Sequence, residues 1–289
     1  MNILIIDIDS KIPNLALKKI EKFHIDKGDK VTWNFPLMRH NADKIYVSCI
    51  FTENKDQCKE WEGLADIGGT GYDIYKKLPD EIESVKPRIN WGKTTLGCPN
   101  KCSFCFVPRK EGGIRVDPNS PDIYDIWDGK SRDITEMSNN ILALPEHFKK
   151  ICGQLRKEKL RVDFNQGLDI RLLTDDLIAE LKTIRHKEYH FAWDGQEDLT
   201  DKFRWLYSEL KRCTVYVLCG YSTTFKQDLD KCTRLKEIGH NGYCMRYETV
   251  KKDPAYILLA TWVNQHHIFQ TKTWDEFLML RNKSGTEIK

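Results

Sequence analysis

Short apolar runs alternate with amphipathic stretches along almost the whole chain, and this alternation confines the fold to the α/β class. Residues 2–9 carry Ile3, Leu4, Ile5 and Ile6, a run that reads as a buried strand. Leu17, Ile20 and Phe23 then recur at three-residue steps, which predicts a helix with Pro13 in its first turn and Gly28 as a left-handed cap at its end. Residues 31–35, 44–51 and 65–69 read as further strands. Strands alternating with helical segments predict a parallel, Rossmann-like sheet in this part of the chain.

The strand at residues 65–69 runs into Gly68, Gly69, Thr70 and Gly71. This is neither GxGxxG nor a Walker A sequence, and no Lys-Ser/Thr pair follows it, so a tight turn is expected rather than a phosphate loop. Asp7 and Asp9 flank Ile8 at the end of the first strand, where carboxylates either line a crevice or solvate a loop.

At 289 residues the chain exceeds one average core and falls short of three domains. Hydrophobic residues at 40% and charged ones at 31% exclude a disordered tail, and 46 Lys+Arg against 43 Asp+Glu give no polybasic footprint. The first apolar run is too short for a signal peptide or a membrane span, so a soluble, cytoplasmic protein without a membrane partner is expected. Ten cysteines in such a chain point to metal ligation or thiol chemistry rather than to disulfides.

Cys98, Cys102 and Cys105 sit in TTLGCPNKCSFCFVP, a CxxxCxxC spacing. Three soft thiolates so close can wrap one metal centre, and Gly97, Pro99 and Asn100 supply the loop conformations that wrapping needs. Structural zinc is normally closed by four ligands, and the next candidates, His147 and Cys152, lie on a separate predicted helix. Three ligands leave one position open for chemistry. The remaining seven cysteines read as core thiols.

This triplet, with Phe104 before its third cysteine, resembles the radical S-adenosylmethionine (SAM) superfamily. The resemblance implies that Cys98, Cys102 and Cys105 hold three irons of a 4Fe-4S cluster whose fourth iron is chelated by SAM. An electron donor such as flavodoxin or ferredoxin would reduce it, and cleavage of SAM would yield a 5′-deoxyadenosyl radical that abstracts hydrogen from substrate. The fold implied is a partial (β/α)6 TIM-type barrel.

Downstream, residues 134–142, 160–164, 189–193, 214–219 and 242–247 read as strands with helices between them, and polar groups at their C-terminal ends take a catalytic prior. Phe148, Ile151, Cys152 and Leu155 mark one intervening helix, and Thr174 caps the next. By the resemblance Asn139 and Asn140 stand where the SAM amino group binds, Gln166 where ribose does, and Phe104 and Met245 where adenine does. Arg171 is a candidate for the SAM carboxylate, the alternative being a structural pair with Asp169. Trp193, Asp194 and Gly220 complete the expected cofactor-binding set. His266 and His267 read as a linker between two C-terminal helices.

The segment IDIDSKIPNLALKKIEKFHIDKGDKV resembles the cobalamin-binding-like domain that precedes the catalytic domain in one class of these enzymes. The DxHxxG signature is absent, and His24 reads as a partly exposed helix residue. The expected division is residues 1–87 as the Rossmann-like domain, 88–250 as the barrel and 251–289 as a helical extension. Three functions follow as expectations: radical chemistry on a nucleobase, nucleotide or nucleic acid; a cobalamin-assisted methyltransferase or rearrangement on a small molecule; and a non-enzymatic metal-binding module. CSFCFVPRKEGGIR, with Arg109, Lys110 and Arg115, is similar to methylthiotransferases of transfer RNA and favours the first. The second cysteine triplet of those enzymes has no counterpart here, so methylthiolation itself is not expected.

Overall fold

A computed structural model describes residues 1–283 and divides the chain into two compact units, Met1–Ser131 and Arg132–Lys289. Residues 284–289, the end of the expected C-terminal extension, lie outside the described residues.

The first unit is built on β1 (Asn2–Asp7), β2 (Lys30–Trp33), β3 (Lys44–Ser48) and β4 (Asp66–Gly68), all parallel in the order β2-β1-β3-β4. The uninterrupted apolar run of β1 is explained by cores on both of its faces. Leu4 and Ile6 pack with Ile45, Val47, Cys49, Cys58, Trp61 and Ile67, while Ile3 and Ile5 pack with Leu17, Ile20, Tyr46 and Ile82. Helix α1 (Leu15–Asp26) covers the second face. Pro13 lies just before the helix rather than in its first turn, Asn14 caps it by accepting the N–H of Leu17 at 3.2 Å, and Gly28 takes the expected left-handed conformation beyond its end. After α2 (Asp80–Glu83) come the short strands β5 (Trp91–Gly92) and β6 (Thr95–Leu96), then helix α3 (Val107–Glu111) and β7 (Arg115–Val116).

In the second unit strand and helix alternate: β8 (Asp133–Glu136), α4 (Pro145–Glu158), β9 (Arg161–Phe164), β10 (Leu168–Asp169), α5 (Asp175–Thr183), β11 (Arg185–His186), β12 (His190–Trp193), α6 (Thr200–Leu210), β13 (Thr214–Cys219), α7 (Phe225–Ile238) and β14 (Asn241–Arg246). Two parallel sheets result, one running β10-β12-β13-β14 and the other containing β11-β9-β8. Phe148, Ile151, Cys152 and Leu155 are all buried on α4, and Thr174 caps α5, as the sequence predicts. The expected strand at 134–142 is shorter. It stops at Glu136, and a 3-10 turn at Ile141–Ala143 follows, because Ser138 donates its N–H and hydroxyl to the Glu136 carboxylate and Asn140 reaches across to Asp169 in place of a ladder.

Helices α8 (Pro254–Asn264), α9 (His266–Thr271) and α10 (Trp274–Lys283) complete the unit. A Cβ on Gly242 would lie 2.6 Å from Val263, so the glycine lets α8 lie close against β14. His266 and His267 begin α9 rather than lying in a linker, since Phe269 must turn inward against Trp262. No helix among the described residues is long and apolar enough to cross a membrane.

Candidate active site

The cysteine loop springs from β6 and returns through α3 to β7, with Thr95 opposite Val116 and Leu96 opposite Arg115 in an antiparallel pair. Gly97 opens it at φ +78°, and a Cβ there would sit 2.3 Å from the carbonyl oxygen of Gly113, so only glycine fits. The N–H of Cys98 donates to Gly112 O at 3.4 Å, and that of Cys105 to Cys102 O at 3.0 Å, a turn that joins the last two cysteines. Glu111 closes the base of the loop. Its carboxylate accepts the Gly97 N–H at 2.8 Å and the ammonium of Lys93. Burial alone would push this carboxyl up, but the Lys93 charge and the Gly97 N–H outweigh it and hold the group below its ordinary range. Arg115 donates to the carbonyls of Glu111 at 2.6 Å and Gly113 at 3.1 Å.

Burial separates these thiols from the rest. Cys98, Cys102 and Cys105 are half-buried, whereas Cys49, Cys58, Cys152, Cys213, Cys219, Cys232 and Cys244 are all buried. Burial pushes the thiols of Cys152 and Cys213 up to about 12, so thiolate chemistry is disfavoured there. Among the described residues no three His, Cys, Asp or Glu side chains converge as ligands of a single ion would. A polynuclear cluster makes no such demand, because each thiolate serves a different iron, and a donor set of three soft, accessible thiols on one tight loop fits it. Phe104 stands half-buried in the same loop.

The other sequence candidates belong to the second unit. Arg171 makes a bidentate pair with Asp169, Nε to Oδ1 and Nη2 to Oδ2, both at 2.7 Å, which is the structural pairing the sequence left open. Asp169 also accepts from Asn140 Nδ2 at 3.4 Å, joining the end of β10 to the loop after β8. Asp194, just beyond β12, has a buried Oδ1 without a hydrogen-bond partner among the described residues. Burial pushes its carboxyl up, partly opposed by the charge of Arg171. Gln166 is exposed and Asn139 half-buried, while Trp193 is 1% exposed with its ring against Phe203 and its N–H on Glu197 O. Met245 is half-buried beside Leu218 in the β13–β14 register.

Gly220, at φ +79°, donates its N–H to Asp228 Oδ2 at 2.7 Å. Asp228 is fully buried and also accepts from Thr223 at 2.9 Å and Tyr256 at 3.3 Å, so it fixes the loop after β13. Sequence reasoning misses Asp228 because it looks like an exposed helix residue. It also misses Glu136, 1% exposed, which accepts the Ser138 N–H at 3.0 Å and sits three residues before Asn139. A third omission is Asp163, paired with His190 Nδ1 at 3.0 Å.

His24 corrects the sequence expectation. It is 2% exposed, not a surface residue, with Nδ1 at 2.7 Å from Asp29 and Nε2 at 3.0 Å from the Tyr46 hydroxyl. Both ring nitrogens are engaged, so the imidazole is not placed to ligate a metal. His24 therefore does not supply an axial ligand for cobalamin. At the switch point between β1 and β3, Asp9 takes the N–H groups of Ile50 at 2.7 Å and Phe51 at 2.9 Å.

No protein-family model matches the chain. Over 202 residues it is 26% identical to the tRNA-2-methylthio-N(6)-dimethylallyladenosine synthase of Flavobacterium johnsoniae, and equally to that of Flavobacterium psychrophilum. The overlap covers 56% of this chain and 39% of each relative, so the chain spans about two fifths of the length of these curated relatives. At that identity and coverage it is a distant and partial relative of these synthases.

Proposed function

We propose that this chain is a radical SAM enzyme acting on nucleic acid, with a 4Fe-4S cluster held by Cys98, Cys102 and Cys105. The observation that carries the reading is the contrast among thiols: three accessible ones share a glycine-clamped loop, and seven are buried. The partial likeness to tRNA-2-methylthio-N(6)-dimethylallyladenosine synthases supports the same chemistry and a nucleic-acid substrate. The parallel strand–helix alternation of residues 132–246 is in keeping with a partial (β/α)6 barrel, taken as residues 88–250 between a Rossmann-like domain and a helical extension.

When bound, such a cluster supplies the electron that cleaves the sulfonium of SAM and so generates a carbon radical for hydrogen abstraction. The protein's own part is to hold and to shield. Gly97, Glu111 and Lys93 fix the base of the loop, so the three thiols start from one backbone geometry. Within the second unit, Asn139, Asn140 and Gln166 offer amide donors and acceptors for the amino acid and ribose parts of SAM, and Met245 offers apolar surface. Arg171, forked on Asp169, serves by keeping that carboxylate in place rather than as a mobile clamp. The electron donor is an external one-electron protein such as flavodoxin or ferredoxin.

The test is the yield of 5′-deoxyadenosine from SAM after anaerobic iron–sulfur reconstitution and reduction, with and without RNA. Cysteine-dependent formation, raised by RNA, is the expected result. Iron loading without SAM cleavage under either condition would overturn the reading in favour of a non-enzymatic metal-binding module.

A further inference from the structure

The turn after β4 is tied to the exit of β3. A Cβ on Gly69 would lie 2.2 Å from the carbonyl oxygen of Cys49, and one on Gly71 would lie 2.5 Å from the carbonyl carbon of Phe51. The N–H of Gly71 donates to Cys49 O at 3.0 Å and fixes the turn there. Between these anchors, the backbone N–H groups of Gly69 and Thr70 donate to no protein acceptor among the described residues. Successive unclaimed N–H groups at the carboxyl end of a parallel strand form the kind of concavity that takes an anion.

The sequence argues against a phosphate site here because no lysine follows the glycines. The fold supplies one from elsewhere. Lys110, on α3 just after the cysteine loop, donates its ammonium to Thr70 Oγ1 at 2.8 Å. Its side chain is half-buried, and among the described residues it meets no carboxylate within ion-pair distance. The nearest strong acid of α3, Glu111, is engaged by Lys93 and by Gly97. Burial pushes the Lys110 ammonium below the usual lysine range and the Lys93 charge acts in the same direction, against the more distant charges of Glu111 and Glu83. A half-buried cation without a counter-ion carries a desolvation cost that an arriving anion offsets.

We propose that Gly69, Thr70 and Lys110 form a phosphate subsite, and that it takes a backbone phosphodiester of the substrate nucleic acid. The second clause rests on the function proposed above; the first does not. One ammonium, one hydroxyl and two backbone N–H groups, coming from two separate elements, match a group with several terminal oxygens better than a single carboxylate. Because α3 carries both Lys110 and the return of the cysteine loop, a phosphate held here registers the strand on the unit that bears the triplet.

Two measurements on the full chain test this. In the first, amine acylation of the wild-type protein is followed residue by residue by mass spectrometry, with inorganic phosphate or chloride at equal ionic strength. Phosphate is expected to slow modification of Lys110 severalfold and to leave exposed Lys226 unchanged; equal rates at Lys110 in both salts overturn the subsite. In the second, fluorescence anisotropy measures binding of a short RNA stem-loop at several salt concentrations. Lys110→Gln is expected to weaken binding about tenfold and to lower the salt slope by about one, with Lys226→Gln as the unchanged control. Protection by phosphate with no change in RNA affinity or slope would leave a phosphate site and remove the nucleic acid as its source. RNA-stimulated formation of 5′-deoxyadenosine, read separately, reports on the enzyme assignment alone.

Discussion

Glu111 accepts the backbone N–H of Gly97 at 2.8 Å, so the far end of the cysteine loop holds the residue that opens it. Glu111→Gln keeps the shape and loses the charge that Lys93 and this N–H were arranged around. A loss of about 2 kcal/mol is expected in urea unfolding of the apoprotein, since hydrogen bonds to charged groups contribute on that order. The pH dependence has a definite sign. The folded carboxyl is held below its unfolded value, so its contribution is present above the ordinary carboxylate range and fades as pH falls through the folded value. The wild type should lose stability through this acid range more steeply than the variant, and identical acid limbs would contradict the clamp.

Arg171→Ala should cost about 1–2 kcal/mol, because it strands Asp169, which is 9% exposed, beside the buried carboxyl of Asp194. Arg171→Lys should recover only part of this, since an ammonium cannot reproduce the two parallel bonds of the fork. Chemical denaturation of the three proteins decides the matter; full recovery by lysine would mean that charge alone is used.

His186 gives the second unit its own acid sensitivity. Nε2 lies 2.8 Å from Leu181 O, and the buried Nδ1 has no partner among the described residues, so burial lowers the imidazole to about 4. As pH falls below the unfolded value near 6.5, the unfolded chain takes up the proton first. Stability is therefore full above that value and declines by roughly 3 kcal/mol between it and the folded value. His186→Phe should flatten that part of the stability profile, and an unchanged slope would assign it to other groups.

Gly220→Ala should be severely destabilising for two separable reasons. The residue has φ +79°, and an added Cβ would lie 2.3 Å from Val250 Cγ2. Pairing it with Val250→Ala removes the two methyl clashes and leaves the backbone strain with a close 3.0 Å approach of the residue-250 Cβ, so the double variant should recover about 1 kcal/mol or more but not the whole loss. Complete recovery would show that the backbone strain counts for little.

What the sequence made legible was what neighbours along the chain determine. The β1 run, the α4 stripe of Phe148, Ile151, Cys152 and Leu155 and the Thr174 cap are all local patterns, and the fold realises each of them. The contacts it hid are long-range ones. Lys110 and Thr70 stand 40 positions apart, and Asp163 and His190 stand 27 apart. No periodicity links such residues, because strand order rather than spacing brings them together. His24 was misjudged for a related reason: an amphipathic helix predicts which face turns inward, but not that Tyr46 and Asp29 would be waiting there for a polar side chain.

The division of the thiols gives the folded protein a built-in gauge of its own condition. A thiol reagent added under native conditions should find the three half-buried sulfurs of the loop and pass over the seven in the cores, whereas denaturant releases all ten. A preparation can thus be sorted into unfolded, folded and empty, or folded and loaded by counting reacted sulfurs alone, before any spectrum is taken.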